Sequence, residues 1–481
     1  MKPRPPVVTI LGHVDHGKTT LLDYIRKSRI AEKEHGGITQ RIGAYAITVP
    51  VKGYTTNRIT FIDTPGHEAF SMLRARGATI ADIAILLIDA KDSLKPQTIE
   101  SISHIKSAQI PFVVAINKID LPDANPSKVK NDLVKHEVIV EDKGGTVPTI
   151  EISAKTGSHV SELLELLLLI AADLKLVYDP ATPPLAHIIE TKKDERGIVV
   201  SIIVKDGILR VGDTIYAGES KARVRSMVND LGDVVTVAQP SMPIEVLGFK
   251  TMPAVGMKIT STPQQTLKQE VQPHELKMIT MDNLLQKPED KKLSLIVKAD
   301  SQGSLDAIIN TLGNNPHVKI VMSSVGNINH SDVFLAKTTQ SIIIGFSVHL
   351  GDEVNEVAKQ EKIVIRTYNI IYKLLEELGE VADLLKEKEL REKTLKGEAK
   401  ILATFLIEGE NVYGITVTKG KLNLGDNLEV FRGKNLIGKT KLVSLKQRAK
   451  AVSEVKKDQE AGIVMNPPLD TNVGDVVQSV L

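Results

Sequence analysis

A glycine-bracketed loop near the start of the chain has residue types and spacing that could bind phosphates. Gly12 and Gly17 enclose the loop, and Lys18 and Thr19 follow directly. In a loop of this pattern the backbone N–H groups surround phosphates, the lysine reaches the terminal phosphates and the threonine hydroxyl binds Mg²⁺. The helix that follows adds the positive end of its dipole. The predicted phosphate-binding residues are Gly12, His13, Val14, Asp15, His16, Gly17, Lys18, Thr19 and Thr20.

Two later segments could complete the phosphate and metal site. In Asp63-Thr64-Pro65-Gly66-His67 the carboxylate can hold Mg²⁺ through water, and the Gly66 N–H can donate to a γ-phosphate. In Gly36-Gly37-Ile38-Thr39-Gln40 the threonine could bring a hydroxyl to Mg²⁺ and an N–H to the γ-phosphate, which only a triphosphate provides. The alternatives to Thr39 are Thr48 and Thr55. The predicted metal ligands are Thr19, Thr39 and, through water, Asp63.

A third group of motifs could select the base. In Asn117-Lys118-Ile119-Asp120 the last carboxylate can accept hydrogen bonds from guanine N1–H and from its 2-amino group. Adenine offers no equivalent pair of donors, and a buried carboxylate that the wrong base leaves unpaired rejects that base strongly. We expect Ser153-Ala154-Lys155 to complete the pocket, with the Ala154 N–H facing the guanine oxygen. The predicted base-pocket residues are Asn117, Lys118, Asp120, Ser153, Ala154 and Lys155.

These motifs need a scaffold that brings them to one edge. Apolar runs that are typical of buried strands alternate with helical patterns over the first 177 residues or so, and a helix is predicted over Thr19–Arg26. The alternation indicates a doubly wound α/β domain, whose ligands bind at the carboxyl ends of the strands. The predicted strands are Val7–Leu11, Arg58–Asp63, Ile83–Asp89, Phe112–Asn117 and Thr149–Ser153.

The pattern changes after the proline-rich connector Tyr178–Pro184. Short alternating segments with glycine turns from His187 to Thr262 predict a β-barrel. Gly207–Ile215 aligns with Gly420–Leu428 as Gly-x-Leu-x-aliphatic-Gly-Asp-x-aliphatic, so the chain is expected to carry this barrel twice.

Between the two barrels the sequence predicts a small α/β sandwich and then a long charged helix over Asn369–Thr394. That helix could be a rigid spacer or could pack along one core. Strands of the sandwich are predicted at Leu293–Asp300, Val318–Ser323 and Ser341–Phe346. Ser301–Ser304 is predicted to begin a helix, because no lysine follows to support a phosphate loop.

Composition excludes several classes of protein. The 481 residues include no cysteine, which excludes disulfides and thiolate metal sites, and no apolar run reaches the ~18 residues of a membrane helix. We expect no leader peptide and no membrane association. The net charge of +2 requires any nucleic-acid surface to be local, and the absence of tryptophan argues against a stacking platform. Nine basic residues and one acid, Glu454, lie between Arg432 and Lys457.

The motifs together resemble those of translational GTPases. Gly36–Gln40, His67–Phe70 and Arg74–Ala78 resemble bacterial translation initiation factor two more specifically, and the resemblance covers nearly the whole chain. The sequence is interpreted as a short form that lacks the long N-terminal extension. The resemblance implies GTP and GDP with Mg²⁺ as ligands, and His67 as the catalytic residue that orients the attacking water; the alternative is a histidine that caps the turn. Asp15 could help to hold a monovalent cation or could hydrogen-bond within its loop.

The resemblance also implies an architecture and partners. The expected fold is multidomain α/β, acting in the cytoplasm as a monomer with the small and large ribosomal subunits and initiator tRNA. The expected domains are a P-loop GTPase domain at 1–178, a β-barrel at 183–268, an α/β/α sandwich at 280–368, a linking helix at 369–395 and a C-terminal β-barrel at 396–481.

Initiator tRNA is expected on the last barrel. By resemblance the contact region is Ser444–Arg448 with Glu460–Gly462. The sequence departs from the family there: Ile415 and Ala461 replace cysteines, and Gln447-Arg448-Ala449 replaces a basic-aromatic-basic run. The alternative for the basic residues is an edge hairpin that uses lysine against aggregation. The predicted tRNA-binding residues are Lys446, Arg448, Glu460 and Gly462.

The sequence therefore predicts an initiation factor that binds formylmethionyl-tRNA on the small subunit, promotes subunit joining and hydrolyses GTP on the ribosome. Without an evident arginine finger, we expect hydrolysis to be slow until a large partner positions His67. Two alternatives stay open: a translational GTPase of the elongation type that delivers aminoacyl-tRNA, and a nucleotide-dependent ribosome-binding scaffold with weak tRNA recognition.

Overall fold

The first domain is a six-stranded sheet between two layers of helices. The computed structural model describes residues 1–26, 43–49, 53–54, 56–66, 68–263, 292–313, 315–407, 410–433, 435–448 and 450–480. The predicted residues Thr39, Thr55, His67, Lys434 and Ala449 lie outside these ranges. The elements are β1 (Lys2–Pro3), β2 (Val7–Leu11), α1 (Lys18–Arg26), β3 (Gly43–Thr48), β4 (Arg58–Asp63), α2 (Ser71–Ile80), β5 (Ile83–Asp89), α3 (Pro96–Ala108), β6 (Phe112–Asn117), α4 (Pro126–Val134), β7 (Thr149–Glu151), α5 (Val160–Asp173) and β8 (Val177–Tyr178).

The strand order in this sheet is β3-β4-β2-β5-β6-β7, and only β3 is antiparallel to its neighbour. Helices α1 and α5 contribute to the core on one face, and α2, α3 and α4 to the core on the other. The predicted doubly wound domain is confirmed, although β7 ends at Glu151 instead of Ser153. Because Ile10 pairs with Asp63 and Asp89 with Asn117, the motifs that follow these strands meet at one edge.

The next segment forms a closed barrel. Its strands run in the order β12-β13-β16-β10-β9-β17, and a bridge between Tyr216 and Thr260 joins the two ends. Alternating residues fill the barrel, as the period of two predicts. The elements are β9 (Leu185–Asp194), β10 (Gly197–Asp206), β11 (Leu209–Arg210), β12 (Thr214–Ala217), β13 (Ser220–Asn229), β14 (Val234–Val235), β15 (Val237–Ala238), β16 (Pro243–Phe249) and β17 (Lys258–Ile259).

A parallel four-stranded sheet with helices on both faces forms the predicted sandwich. The strand order is β19-β18-β20-β21. Helix α6 lies in the core on one face, and α7 and α8 lie in the core on the other. The elements are β18 (Leu293–Ala299), α6 (Gln302–Gly313), β19 (Val318–Val325), α7 (His330–Thr339), β20 (Ile342–Phe346), α8 (Asp352–Gln360) and β21 (Ile365–Tyr368).

The sandwich core includes side chains from the first domain and from the helix that follows the sandwich. Phe70, in a 3₁₀ turn, and Leu73, on α2 of the first domain, are buried in this core. Helix α9 (Ile371–Thr394) follows β21, and its Leu374 and Leu378 side chains are buried in the same core. The first turns of the long helix thus pack on a core, as one of the two alternatives predicts. The role of the helix as a spacer stays a prediction.

The last segment forms a second barrel. Strands β22-β29-β24-β25-β28-β23 form a sheet that closes where β22 pairs with β23. The elements are β22 (Leu395–Ile407), β23 (Glu410–Asn423), β24 (Asn427–Arg432), β25 (Asn435–Gln447), β26 (Lys450–Ala451), β27 (Glu454–Lys456), β28 (Glu460–Asn466) and β29 (Val476–Val480). The chain divides into two compact units within α9, between Leu378 and Gly379. The exact boundaries of the five expected domains stay a prediction.

The repeated nonapeptide has the same conformation in both barrels. Gly212 and Gly425 have φ values of 95° and 91°, which favour glycine. Asp213 Oδ2 accepts from the Arg210 N–H at 2.8 Å, as Asp426 Oδ2 accepts from that of Asn423 at 2.9 Å. The strand orders also correspond, with β9, β10, β12, β13, β16 and β17 matching β22, β23, β24, β25, β28 and β29. The predicted duplication of the barrel is confirmed.

Buried charges join the first domain to the first barrel. Asp82, just before β5, accepts from Arg4 Nη1 and Nη2 at 2.6 and 2.7 Å and from Lys205 Nζ of β10 at 2.7 Å. Burial alone would raise the pKa of Asp82, but hydrogen bonds and charge from both cations hold it below its usual value. Ser241 Oγ donates to the Pro5 carbonyl beside this cluster. One carboxylate thus pairs with two cations that come from different domains.

A second buried carboxylate joins the first barrel to the sandwich. Glu190 on β9 is 5% exposed, and Oε1 accepts from the Gly303 N–H at 3.1 Å in the first turn of α6. Oε2 accepts from Ser301 Oγ, also at 3.1 Å. The expected helix start at Ser301–Ser304 is thus capped from another domain. Burial raises the pKa of Glu190 to about 7, against the effect of these hydrogen bonds.

Glu190 should make stability fall as the pH rises. A carboxyl whose folded pKa is about 7 and whose ordinary pKa is 4.5 binds more protons in the folded state between these values. The stabilisation is therefore present below about pH 4.5 and is lost by about pH 7, with a total near 3 kcal/mol. In Glu190→Gln this component should vanish from the dependence of the melting temperature on pH. Glu195→Gln, at an exposed position in the β9–β10 turn, is the control and should melt like the parent at each pH.

Candidate nucleotide site and basic barrel

The phosphate-binding loop joins β2 to α1 and has the backbone angles that its glycines permit. Gly12 and Gly17 have φ values of 151° and 93°. A Cβ on Gly12 would lie 2.4 Å from the Leu87 carbonyl oxygen, and one on Gly17 would lie 2.4 Å from Asn117 Nδ2. A side chain at Gly12 would therefore clash with the backbone of β5, and one at Gly17 would displace the Asn117 side chain. Asp15, at φ 65°, and Thr20 are exposed at its outer side.

Lys18 is held inside the loop. Its Nζ donates to the carbonyl oxygens of Gly12 and His13, at 2.9 and 2.6 Å. Burial lowers the pKa of Lys18 to about 8, and the charge of Asp63 opposes this effect. A phosphate bound beside the ammonium would favour its charged form again, because opposite charges stabilise each other in a buried site. The lysine is thus placed for the role that the sequence predicts.

The turn after β4 packs against the same loop. Thr64 Oγ1 donates to the Ile10 carbonyl at 2.9 Å. A Cβ on Gly66 would lie 2.6 Å from Lys18 Nζ, so a larger residue there would displace the lysine tip. Asp63 lies close enough to Lys18 to raise its pKa, and Thr19 is half-buried at the start of α1. A hydroxyl and a carboxylate are the oxygen donors that Mg²⁺ prefers, so these residues fit the expected metal.

Asn117 joins the phosphate loop to the predicted base pocket. Its Nδ2 donates to the His16 carbonyl at 2.8 Å, and its Oδ1 accepts from the Ala154 N–H at 2.9 Å. In this structure the Ala154 N–H donates to Asn117, and its contact with the guanine oxygen stays a prediction. Ala154 is buried, and a buried N–H without an acceptor is costly, so the nearby amide oxygen takes it.

Asp120 is positioned by the loop after β7. Buried Ser153 donates its Oγ hydrogen to Asp120 Oδ1 at 2.7 Å. This bond orients the carboxylate that is predicted to read guanine. Lys118, with φ 64°, pairs its ammonium with Asp89 at 2.7 Å, and Lys155 is exposed.

The two loop histidines are neutral at pH 7. Burial lowers the pKa of His16 to about 4, and burial and Lys18 lower the pKa of His13. The rings contact edge to face, with centroids 5.2 Å apart, and His16 Nδ1 lies 3.4 Å from the Leu87 carbonyl oxygen. These contacts agree with a structural role for both.

Two side chains at this site were missed by the sequence analysis. Gln97 on α3 accepts the Val14 N–H of the phosphate loop at 3.0 Å. Arg74 on α2 is fully buried and donates to the Pro65 carbonyl in the segment that follows β4. Gln97 carries no signal in the sequence. Arg74 stands in the segment that resembles initiation factor two, but nothing in the spacing indicates its contact.

The second barrel brings three of the four predicted tRNA residues together. Lys446 on β25 lies opposite Gly462 on β28, and Glu460 is two residues away on the same strand. Arg448, with φ 47°, lies in the turn after β25. Ile415 and Ala461 pair across β23 and β28 and are buried in the barrel core.

The basic cluster of this barrel is partly neutralised. Arg432 pairs with Asp475, Lys439 with Glu429 and Lys456 with Glu454. Among the residues described in the barrel, the other basic side chains of the cluster are exposed and form no ion pair. They are Lys441, Lys446, Arg448, Lys450 and Lys457.

Comparison with family models gives the class of protein. Residues 4–173 match the Elongation factor Tu GTP binding domain, 183–262 match Elongation factor G domain 2 and 268–379 match Translation-initiation factor 2. Together with the phosphate loop and the base motifs, these matches define a GTP-binding protein of the translation-factor class.

Curated relatives match nearly the entire chain, which belongs to the translation initiation factor IF-2 family. IF-2 of Halothermothrix orenii is 41% identical over 496 residues, which cover 99% of this chain and 71% of that protein. IF-2 of Bartonella tribocorum is 42% identical over 501 residues, which cover 100% of this chain and 59% of that protein. The chain spans about three fifths of the length of several such relatives.

A solved structure of GDP-bound aIF5B from Aeropyrum pernix aligns with 100% of this chain and 92% of that chain, with 27% identity and a TM-score of 0.46. In the part of the chain that the structure describes, no helix has the length and apolar character needed to cross a membrane.

Proposed function

We propose that the chain is a GTPase of translation initiation that binds GTP and GDP with Mg²⁺ at the phosphate loop. The observation that carries this proposal is the bond between Ser153 Oγ and Asp120, together with the two bonds of Asn117. These contacts tie a guanine-reading carboxylate to a loop whose N–H groups can surround phosphates. Membership of the IF-2 family supports the initiation role.

Hydrolysis depends on positioning and charge. A water attacks the γ-phosphorus, the bond to the β–γ bridging oxygen breaks, and GDP and phosphate result. Lys18 and the Gly66 N–H stabilise the phosphate oxygens, and His67, outside the described residues, orients the water. Mg²⁺, when bound, adds positive charge at the β- and γ-phosphates, and Thr19, Asp63 and Thr39 are its proposed ligands.

The γ-phosphate acts as a switch. It holds Gly66 and Thr39 before hydrolysis and releases them afterwards. Gly66 stands four residues before Phe70, which is buried with Leu73 in the sandwich core, and Leu374 and Leu378 of α9 share that core. A change at Gly66 can therefore reach the start of α9 through the core that these side chains share.

The proposed partners are the small and large ribosomal subunits and initiator tRNA, and the proposed setting is the cytoplasm, with the chain as a monomer. Five cations in the described part of the basic cluster are exposed and form no ion pair, which supports RNA binding because such charges attract phosphates without reading sequence. Lys446, Arg448, Glu460 and Gly462 are the proposed contacts for the formylmethionyl end.

Replacing the proposed catalytic histidine tests the GTPase assignment. His67→Ala should slow ribosome-stimulated GTP hydrolysis by about a hundredfold or more, because a positioned group that assists the attacking water is worth this much. The Kd for GTP should stay the same. His67→Gln should keep part of the rate, since glutamine can also orient water. Hydrolysis at the parent rate in His67→Ala would remove this role from the histidine.

Filter binding with formylmethionyl-tRNA and unformylated methionyl-tRNA tests the initiation role. A preference for the formylated form, lost in Lys446→Ala with Arg448→Ala, supports it; Lys439→Ala, whose ammonium is paired with Glu429, is the control. A preference for elongator tRNAs would favour the elongation type.

A ribosome-binding scaffold is the second candidate. It is favoured by the apolar pair Ile415 and Ala461, which replaces the family's cysteines in the barrel core next to the proposed tRNA contacts. Equal binding of formylated and unformylated tRNA would support it.

A further inference from the structure

One arginine of α2 reaches back to the turn that precedes the helix. Arg74 is fully buried, and its Nη1 donates to the Pro65 carbonyl oxygen at 3.1 Å. Its Nη2 donates to both carboxylate oxygens of Glu100 on α3, at 2.9 and 2.8 Å. A guanidinium held by charge-assisted bonds of this kind has a fixed orientation. The Pro65 carbonyl is therefore tied through Arg74 to α3.

The Pro65 carbonyl belongs to the same peptide unit as the Gly66 N–H. A trans peptide unit is planar, so its C=O and N–H point in opposite directions and cannot turn independently. Gly66 lies against the phosphate loop, where a Cβ would come 2.6 Å from Lys18 Nζ and 3.2 Å from the Val14 nitrogen. A side chain that fixes the carbonyl also fixes the direction of the N–H beside the phosphate site.

We propose that Arg74 is a positioning residue for the triphosphate: it orients the Gly66 N–H that donates to the γ-phosphate. The inference rests on the proposed function, which assigns GTP to this site. Arg74 acts through the Pro65–Gly66 peptide and does not touch the nucleotide. Its contribution is therefore specific to ligands that carry a third phosphate, because GDP has no group for this N–H.

Glu100 and its neighbours hold the guanidinium in place. Burial disfavours the charged carboxylate, but hydrogen bonds from His104 and Ser71 and the charge of Arg74 prevail and lower the pKa of Glu100 to about 2. His104 Nε2 lies 3.1 Å from Glu100 Oε1 and 3.5 Å from Ser71 Oγ. The carboxylate is therefore ionised at neutral pH and pairs with Arg74 throughout that range.

The chain offers a matched control two residues further along α2. Arg76 donates to Asp306 of the sandwich at 2.8 Å, and both side chains are largely buried. Arg76→Met removes a guanidinium and an ion pair of the same kind while the bond from Arg74 to Pro65 stays. Arg74→Met keeps the apolar stem of the side chain and removes the guanidinium with its hydrogen bonds and charge.

The test measures the Kd of GDP and of a non-hydrolysable GTP analogue by isothermal titration calorimetry on the full chain. In Arg74→Met we expect about tenfold weaker binding of the analogue, as for the loss of one hydrogen bond to a charged group, and less than about a twofold change for GDP. Arg74→Lys keeps the positive charge but loses the planar set of guanidinium donors, so its affinity for the analogue should lie between those of Arg74→Met and the parent. Arg76→Met should leave the ratio of the two Kd values unchanged.

Equal weakening of both nucleotides by Arg74→Met would overturn the proposal, because a purely structural role affects GDP and the analogue alike. A parental ratio in Arg74→Met would overturn it as well. Glu100→Gln alone should lower the preference for the analogue over GDP. Added to Arg74→Met, it should cause no further loss of this preference. Additive losses would contradict the role of Glu100 in holding Arg74. A parent chain that binds neither nucleotide would instead defeat the proposed function, which separates the two failures.

Discussion

Asp120→Asn should weaken GTP binding by about a thousandfold, because guanine offers two donors to this carboxylate and each charge-assisted bond contributes about 2 kcal/mol. Asparagine presents an amide N–H to one of these guanine donors, and two N–H groups that face each other repel. Xanthine carries a carbonyl oxygen in place of the 2-amino group and can accept that N–H. The variant should therefore bind XTP better than GTP.

The fold of the pocket should survive this change. Ser153 Oγ donates to Asp120 Oδ1 at 2.7 Å, and the side-chain oxygen of an asparagine can accept the same hydrogen. Calorimetry with GTP, XTP and ATP measures the effect. Asp123→Asn is the matched control, because Asp123 is an exposed carboxylate three residues away that pairs with Lys91. GTP affinity that is equal in both variants would remove Asp120 from the base pocket.

Asp82→Ala should destabilise the first compact unit by about 4 kcal/mol, since removing one partner from a buried ion pair leaves uncompensated charge. Here two cations, Arg4 and Lys205, would lose the carboxylate that pairs with both. The first compact unit comprises Met1–Lys287 and Leu293–Leu378, and for a unit of this size we expect the first calorimetric transition to fall by roughly 5 °C. The nucleotide site should be affected only through this loss of stability.

An exposed ion pair provides the comparison. Asp123 and Lys91 are 3.0 Å apart, but their side chains are 67% and 54% exposed, and such pairs contribute between 0 and about 1 kcal/mol. Asp123→Ala should therefore melt within about 2 °C of the parent. If Asp82→Ala melts at the same temperature as Asp123→Ala, the buried cluster does not hold the first domain to the barrel.

The parts of the site that could be predicted are those whose chemistry is local. Gly12, Lys18 and Asp120 stand in short motifs between a strand and a helix or loop, and the register of β2, β4 and β6 brings the motifs together. The duplicated barrel could be predicted for the same reason, because Gly212 and Gly425 mark one tight corner in each copy.

The parts that could not be predicted depend on contacts between distant residues. Glu190 caps a helix that begins more than a hundred positions later, and no periodicity in either segment indicates this. Arg74 reads as a surface charge on an amphipathic helix until α3 places Glu100 beside it. The bond from the Ala154 N–H could not be predicted for the same reason, because its acceptor is a side chain from another strand.

The placement of Phe70 and Leu73 limits how the molecule can be dissected. Both side chains are buried in the sandwich core, at 0% and 1% exposure, although they belong to the nucleotide-binding domain. A recombinant fragment that ended at Tyr178 would expose these two apolar side chains to solvent, close in the chain to Gly66. Such a fragment would tend to self-associate. Its rate of GTP hydrolysis would be measured without the sandwich core on which Phe70 and Leu73 pack.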